Sequence, residues 1–182
     1  MKNFKNVTLA ILVIFVAVSC SKDDKPSVNS SDAVGKWKLQ EYYYSGDSQG
    51  SYDGMDLSSS YSVTTENSDA YLELLEDNTF KATGSIDFYM SMDYMGQSMD
   101  QTMANTAFNG TGNWSIDGNS MKLSNQVASF NNQYVQQAEV QSMTIEELTS
   151  SRMVLTFDVT QDMSQMGIDY SVSMKGKQVY TR

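Results

Sequence analysis

The sequence predicts an all-β protein: an antiparallel, up-and-down sheet of eight to ten strands, closed into a barrel or folded as a sandwich. Three observations lead there. Beyond Val34, apolar and polar residues alternate with period two. Turn-forming Asn, Asp and Gly residues fall between the alternating runs. Few stretches show a convincing helical repeat. Closure into a barrel would remove the exposed edges that an acidic, Ser-rich sheet could not otherwise bury.

The N-terminus reads as an address. Lys2 and Lys5 precede an apolar run, Val7 to Val18, in which only Thr8 is polar. As a helix this run is about 18 Å long, too short for the roughly 30 Å of a bilayer's hydrocarbon. With the small residues Ala17 and Ser19 before Cys20, residues 1–19 form a signal peptide. The A-V-S-C sequence resembles a bacterial lipobox, with Ala17 in place of the usual Leu. That resemblance implies that Cys20 becomes the acylated N-terminus and anchors the chain to a membrane. The alternative is a plain secretory signal followed by an unpaired thiol. Ser21, Lys22, Asp23 and Asp24 resemble the Ser/Lys-plus-acidic export tag of Bacteroidetes-type lipoproteins. The tag implies the outer membrane and the cell exterior, a periplasm-facing anchor being the alternative. Residues 20–33, with the sole proline at Pro26, form a flexible tether.

The strands follow from about residue 34 to 182. Phe88, Met90, Met92 and Tyr94 alternate with Ser91 and Asp93. Met153, Leu155, Phe157 and Val159 alternate with Val154, Thr156, Asp158 and Thr160. Ile168, Tyr170, Val172 and Met174 alternate with Asp169, Ser171, Ser173 and Lys175. Each run has one face inward and one wet. Turns are expected at Glu76-Asp77-Asn78, Asn109-Gly110, Asp117-Gly118-Asn119 and Gly167. Residues 134–148 tolerate helix but are read as a strand with a turn.

Several segments resemble the small lipocalin-like lipoproteins of Bacteroidetes. Val34-Gly35-Lys36-Trp37-Lys38-Leu39 carries the G-x-W that begins the first lipocalin strand. Leu72 to Phe80 resembles the family's second hairpin. Gly112-Asn113-Trp114-Ser115-Ile116, with the following turn and Met121-Lys122-Leu123, is similar to its second G-x-W. Ile145 to Thr149 with Met153 to Leu155, and then Val179 to Arg182, resemble its late and closing strands. Two stretches depart from the pattern: the Ser/Gly/Asp-rich residues 45–70 and the Met-rich residues 90–103. The resemblance implies a lipocalin-like β-barrel with a hydrophobic interior. Function must be argued from the site itself.

Composition excludes several functions. The chain has no His, one Cys, and a formal charge of −10, which becomes −12 once Lys2 and Lys5 leave with residues 1–19. That balance opposes nucleic-acid binding, and the lack of His removes the commonest general base. Gly46-Asp47-Ser48-Gln49-Gly50 fits G-x-S-x-G, but that motif needs a His base. An enzyme is not expected, and no cofactor is. Asp47, Asp53 and Asp56 lack the spacing of a calcium loop.

The candidates for a binding site are apolar. Trp37 and Trp114 are expected to be core anchors, Trp37 plugging the closed end as in lipocalins, with ligand stacking the lesser reading. Met90, Met92, Tyr94 and Tyr170 are candidates for the barrel wall or a ligand cavity. Met90, Met92, Met95, Met99 and Met103 form a cluster, with Met163 and Met166 a second pair. Met fills irregular apolar space and lines adaptable surfaces, whereas a thioether site for Cu(I) is the minority reading. Tyr42, Tyr43 and Tyr44 place aromatics on both faces of one strand, which favours cross-strand pairing over sugar stacking. The function expected is non-enzymatic: an envelope lipoprotein that binds or carries a small hydrophobic molecule. The alternative is a structural or adhesive surface protein whose barrel is filled by its own side chains.

Overall fold

The computed structural model describes residues 28–52, 55–94, 96–124, 141–162 and 169–182. Cys20, Ser21, Lys22, Asp23, Asp24, Asp53, Met95, Met163, Met166 and Gly167 lie outside the described residues.

A single helical turn, α1 (Ser30–Ala33), precedes eleven strands. They are β1 (Gly35–Tyr52), β2 (Met55–Ser68), β3 (Tyr71–Leu74), β4 (Thr79–Thr83), β5 (Ser85–Tyr94), β6 (Gln97–Ala107), β7 (Gly110–Asp117), β8 (Ser120–Leu123), β9 (Gln141–Leu148), β10 (Arg152–Asp162) and β11 (Asp169–Thr181). All pairings are antiparallel, and β11 returns to pair with β1. The ring β1-β3-β4-β7-β8-β9-β10-β11 is therefore a closed eight-stranded barrel. Three further strands, β2, β5 and β6, belong to an extension. In it β10, β11 and β1 run on past the barrel wall, and β2, β5 and β6 continue their sheet.

The extension is built from the barrel's own strands. β2 with β3, β4 with β5, and β6 with β7 are three runs, each broken once at a transverse crease. Ala70, Gly84 and Phe108 mark the breaks, tied by Phe108 N–H donating to the Gly84 carbonyl at 2.9 Å and Leu39 N–H to the Ala70 carbonyl at 2.9 Å. Gly84 has φ +113°, and a Cβ there would come within 2.8 Å of Ala70 Cα, so only glycine lets the neighbouring strand approach. Asp69 secures the fold line, its Oδ1 accepting from Ser85 N–H at 2.6 Å and from the Ser85 hydroxyl at 3.2 Å.

Bulges near the crease change which residues face inward. The β1–β11 register slips between Leu39 and Glu41, so Trp37 and Leu39 point inward before it and Tyr42 and Tyr44 after it. The β2–β5 pair slips between Thr65 and Asn67, and β5–β6 between Ile86 and Phe88, where Asn105 has φ 54°. A bulge inserts one residue and bends its strand, which sends these strands away from the barrel axis.

The two stretches that departed from the family pattern are partners. Residues of 45–70 form the outer half of β1 and all of β2, and the Met-rich stretch forms the β5–β6 hairpin that pairs with β2. Three expectations need correction or refinement. Asn109-Gly110 is no hairpin turn, because the chain crosses the crease there and continues into β7. Residues 29–33, expected as the end of a tether, form a turn capped by Asn29, and Ala33 is fully buried in the core. Residues 141–148 are strand, as expected, while 125–140 lie outside the described residues. The turns at Asp77-Asn78 and Gly118 stand where the sequence put them, with Asn78 at φ 64° and Gly118 at φ 61°.

Candidate functional site

One end of the barrel is closed by contacts around Trp37. Its Nε1–H donates to the Ala33 carbonyl at 2.7 Å, and the indole is fully buried. The Arg182 guanidinium lies over the Trp37 ring, 3.9 Å from its centroid. The same guanidinium donates to the Val34 carbonyl at 2.6 Å and to the Asp32 carbonyl at 2.9 Å. Gly35, at φ +136°, leaves the space in which Arg182 sits, since a Cβ there would stand 3.3 Å from the guanidinium carbon. The spacing of Gly35 and Trp37 thus has a mechanical meaning. The glycine admits the arginine, and the arginine holds the tryptophan.

The middle of the barrel is filled. Trp37, Phe80, Phe88, Phe108, Met121 and Met153 are each at most 2% exposed and belong to one cluster. Trp114 packs in the wall, its Nε1–H donating to the Leu75 carbonyl at 3.0 Å. Both tryptophans are therefore core anchors. A polar layer lies near the crease: the Tyr180 hydroxyl donates to Gln178 Oε1 at 2.6 Å, and Thr65 Oγ1 accepts from Tyr42 N–H at 2.7 Å. Burial pushes the Tyr42 hydroxyl up to about 12, against the opposing pull of the Gln178 amide beside it. Gln178 Nε2 makes no hydrogen bond of good geometry among the described residues. Burial raises Tyr44 and Tyr180 as well.

Beyond that layer the inner face of the extension is apolar but only partly covered. One cross-strand row reads Val159, Met174, Gly46, Tyr61, Met92, Met99, and the row beneath it reads Phe157, Gly176, Tyr44, Val63, Met90, Gln101. Tyr44 and Phe157 are nearly buried, whereas Val159 is 46% and Met99 56% exposed. Tyr94, one row further out, is 50% exposed. Two glycines make room for aromatic rings. A Cβ on Gly46 would stand 2.6 Å from Tyr61 Cζ, and one on Gly176 would overlap the Phe157 ring. Tyr44 and Tyr61 meet edge to face at 5.9 Å, which is the cross-strand pairing expected for the tyrosine run. Tyr43 faces the other way.

The structure thus collects Met90, Met92, Met99 and Met103 on one face, with Met92 directly opposite Met99. Tyr94 joins the same sheet face. Tyr170 stands opposite Gly50 in the β1–β11 register, its side chain outside the description. Trp37 and Trp114 lie elsewhere, in the filled interior. Sequence reasoning missed Met174 and Tyr61 as neighbours of the methionines, because Tyr61 pairs with Met92 across 31 positions and Met174 lies more than seventy positions away. It also gave Arg182 no role.

A family profile described as a lipocalin-like domain matches residues 34–155, more than half of the chain. The chain belongs to the lipocalin-like domain family. Neither the curated proteins nor the solved structures gave a match. In this lipocalin-like chain the β1–β2 and β5–β6 hairpins form the extension beside the closed barrel, and the family match runs through both.

Proposed function

We propose that this lipocalin-like chain is a non-catalytic, lipid-anchored envelope protein of the Bacteroidetes lipoprotein type. Cys20 carries the acyl anchor, and Ser21 to Asp24 direct the domain to the outer face of the outer membrane. Its task is to bind a small apolar molecule on the methionine-rich inner face of the extension, not inside the barrel. The observation that carries this reading is the exposure of Val159, Tyr94 and Met99 beside the half-buried Met90, Met92 and Tyr61. Flexible thioethers beside rigid aromatic rings adapt to apolar ligands of differing shape. The packed core supports placing the ligand at the barrel mouth, because the volume around Trp37 and Phe88 is taken up by side chains.

That same packing favours a second reading, in which the barrel is a rigid display scaffold for surface adhesion and holds no small molecule. Native mass spectrometry of the chain purified from its own host's envelope separates the two. An adduct of a few hundred daltons, lost on denaturation and absent from Met92→Lys, supports the carrier. A bare polypeptide mass in repeated preparations supports the scaffold. A mass gain of one copper ion, lost in Met92→Leu with Met99→Leu, replaces the apolar ligand with a metal held by thioethers.

A further inference from the structure

The outer face of the extension has a different chemistry from the inner one. One row across it reads Asp158, Lys175, Ser45, Ser62, Ser91, Asp100, and the next reads Thr160, Ser173, Asp47, Ser60, Asp93, Ser98. Serine side chains are short, so the centre of these rows is a trough. Two hollows of about 280 and 160 Å³ open along it, sharing Asp47, Ser60 and Asp93. The first is lined by Ser45, Ser62, Ser91 and Lys175 as well.

The lining selects its ligand by exclusion and by match. Each serine hydroxyl both donates and accepts, each carboxylate only accepts, and the lysine only donates. Asp93 is held in place: its Oδ1 accepts from Gly96 N–H at 3.1 Å and its Oδ2 from the Ser98 hydroxyl at 3.1 Å. A carboxylate oxygen accepts two hydrogen bonds, so each retains one for a ligand. An anion is opposed by Asp47 and Asp93 and by the chain's net charge of −10. Among the described residues, no group of three or more carboxylate, His or Cys side chains could hold a metal ion. An apolar molecule would leave the hydroxyls and carboxylates without partners. A neutral ring bearing several adjacent hydroxyls satisfies both kinds of group, donating hydrogen bonds to the aspartates and accepting them from the serines and Lys175. Tyr89, 38% exposed, lies two residues before Ser91 on the same outward side of β5 and offers a flat apolar surface beside the trough.

We propose that the trough binds a neutral saccharide, two adjacent sugar units occupying the two hollows around Asp47, Ser60 and Asp93. The hydroxyl and carboxylate rows lie on the face opposite the methionine row, although Gly46, Tyr61 and Met92 of that row also border the first hollow. The saccharide reading does not rest on the apolar ligand. Saturation-transfer NMR on the full chain, in a detergent without a sugar headgroup and with EDTA present, tests it. The probes are maltotetraose, cellotetraose, mannotetraose and chitotetraose. At least one should receive saturation from the wild-type chain. Ser60→Tyr should abolish the signal, because a tyrosine at this exposed strand position fills the trough while suiting the strand. Asp47→Asn with Asp93→Asn should weaken binding at least about tenfold, since hydrogen bonds to charged acceptors are lost. Silence from all four sugars, or a signal undiminished in a folded Ser60→Tyr chain, overturns the proposal. So does calcium, added alone without EDTA, shifting Asp47 and Asp93 when no sugar binds, which would reassign the trough to a cation.

Discussion

Replacing Arg182 should loosen the closed end of the barrel by a measurable amount. The guanidinium makes three contacts: the Trp37 ring at 3.9 Å, the Val34 carbonyl at 2.6 Å and the Asp32 carbonyl at 2.9 Å. A cation over an aromatic ring contributes about 0.5–1 kcal/mol at an exposed site. Hydrogen bonds from a charged donor reach about 1.5–3 kcal/mol each when buried, but Arg182 is solvent-exposed, so each counts well below that range. Arg182→Met keeps part of the apolar stem against Trp37 and loses all three polar contacts, for a total of about 2 kcal/mol. In a chain of this size that lowers the melting temperature by roughly 4–8 °C. Urea unfolding followed by circular dichroism should show a lower midpoint with an unchanged slope. Arg182→Lys should recover less than half of the loss, because a compact, strongly hydrated ammonium lacks the guanidinium plane, which lies over Trp37 while its terminal nitrogen serves both carbonyls. A loss below about 0.5 kcal/mol for Arg182→Met, or full recovery by lysine, would refute the clamp.

Gly176→Ala should destabilise by about 1–3 kcal/mol, read from the urea midpoint, because the new methyl group displaces the Phe157 ring. At high pH, stability should fall. Tyr42, Tyr44 and Tyr180 have folded pKa values above the usual 10, so their contribution is complete below pH 10 and is lost as pH rises through the folded values, about 12 for Tyr42. Tyrosinate absorbance should then show three tyrosines ionising only as the chain unfolds. On the acid side the sign reverses. Hydrogen bonds from Ser85 and from Thr79 hold Asp69 and Asp77 below the ordinary carboxylate range. Their contribution is present above about pH 4 and is lost as pH falls through the depressed values, so Asp69→Asn with Asp77→Asn should flatten the acid slope of the urea midpoint.

The alternation at 88–94 and the turns at Asp77-Asn78 and Gly118 were legible in the sequence, because each depends on neighbours in the chain. The run at 153–159 is strand as expected, but Val154 is 5% and Val159 46% exposed, and the burial of Trp37 was expected from the G-x-W resemblance. The extension was not legible. It needs residues 59–68 to pair with residues 86–94, and no local pattern announces a partner. The bulges near Gln40, Glu66 and Asn105 hid it further, since each shifts the inward parity by one and looks like a flaw in the alternation. Asn109-Gly110 carries hairpin chemistry yet sits in a through-running strand, because Gly110 pairs with Ala82 beyond the crease. Arg182 entered only as the last residue of the segment that resembles the closing strand. Only closure of β11 on β1 brings it to Trp37, 145 positions earlier.

The claim that the barrel is full and that apolar ligands meet the protein at its mouth can be tested by the methionines themselves. Methyl-labelled methionines report from both places: Met121, Met143 and Met153 in the core, and Met90, Met92, Met99, Met103 and Met174 on or beside the mouth face. Titrating the chain with palmitate and following the methyl signals should move the mouth set and leave the core set still. Shifts at Met121, Met143 and Met153 would place the ligand inside the barrel, and no shift at any methyl would leave the mouth face without a ligand; either would contradict the account.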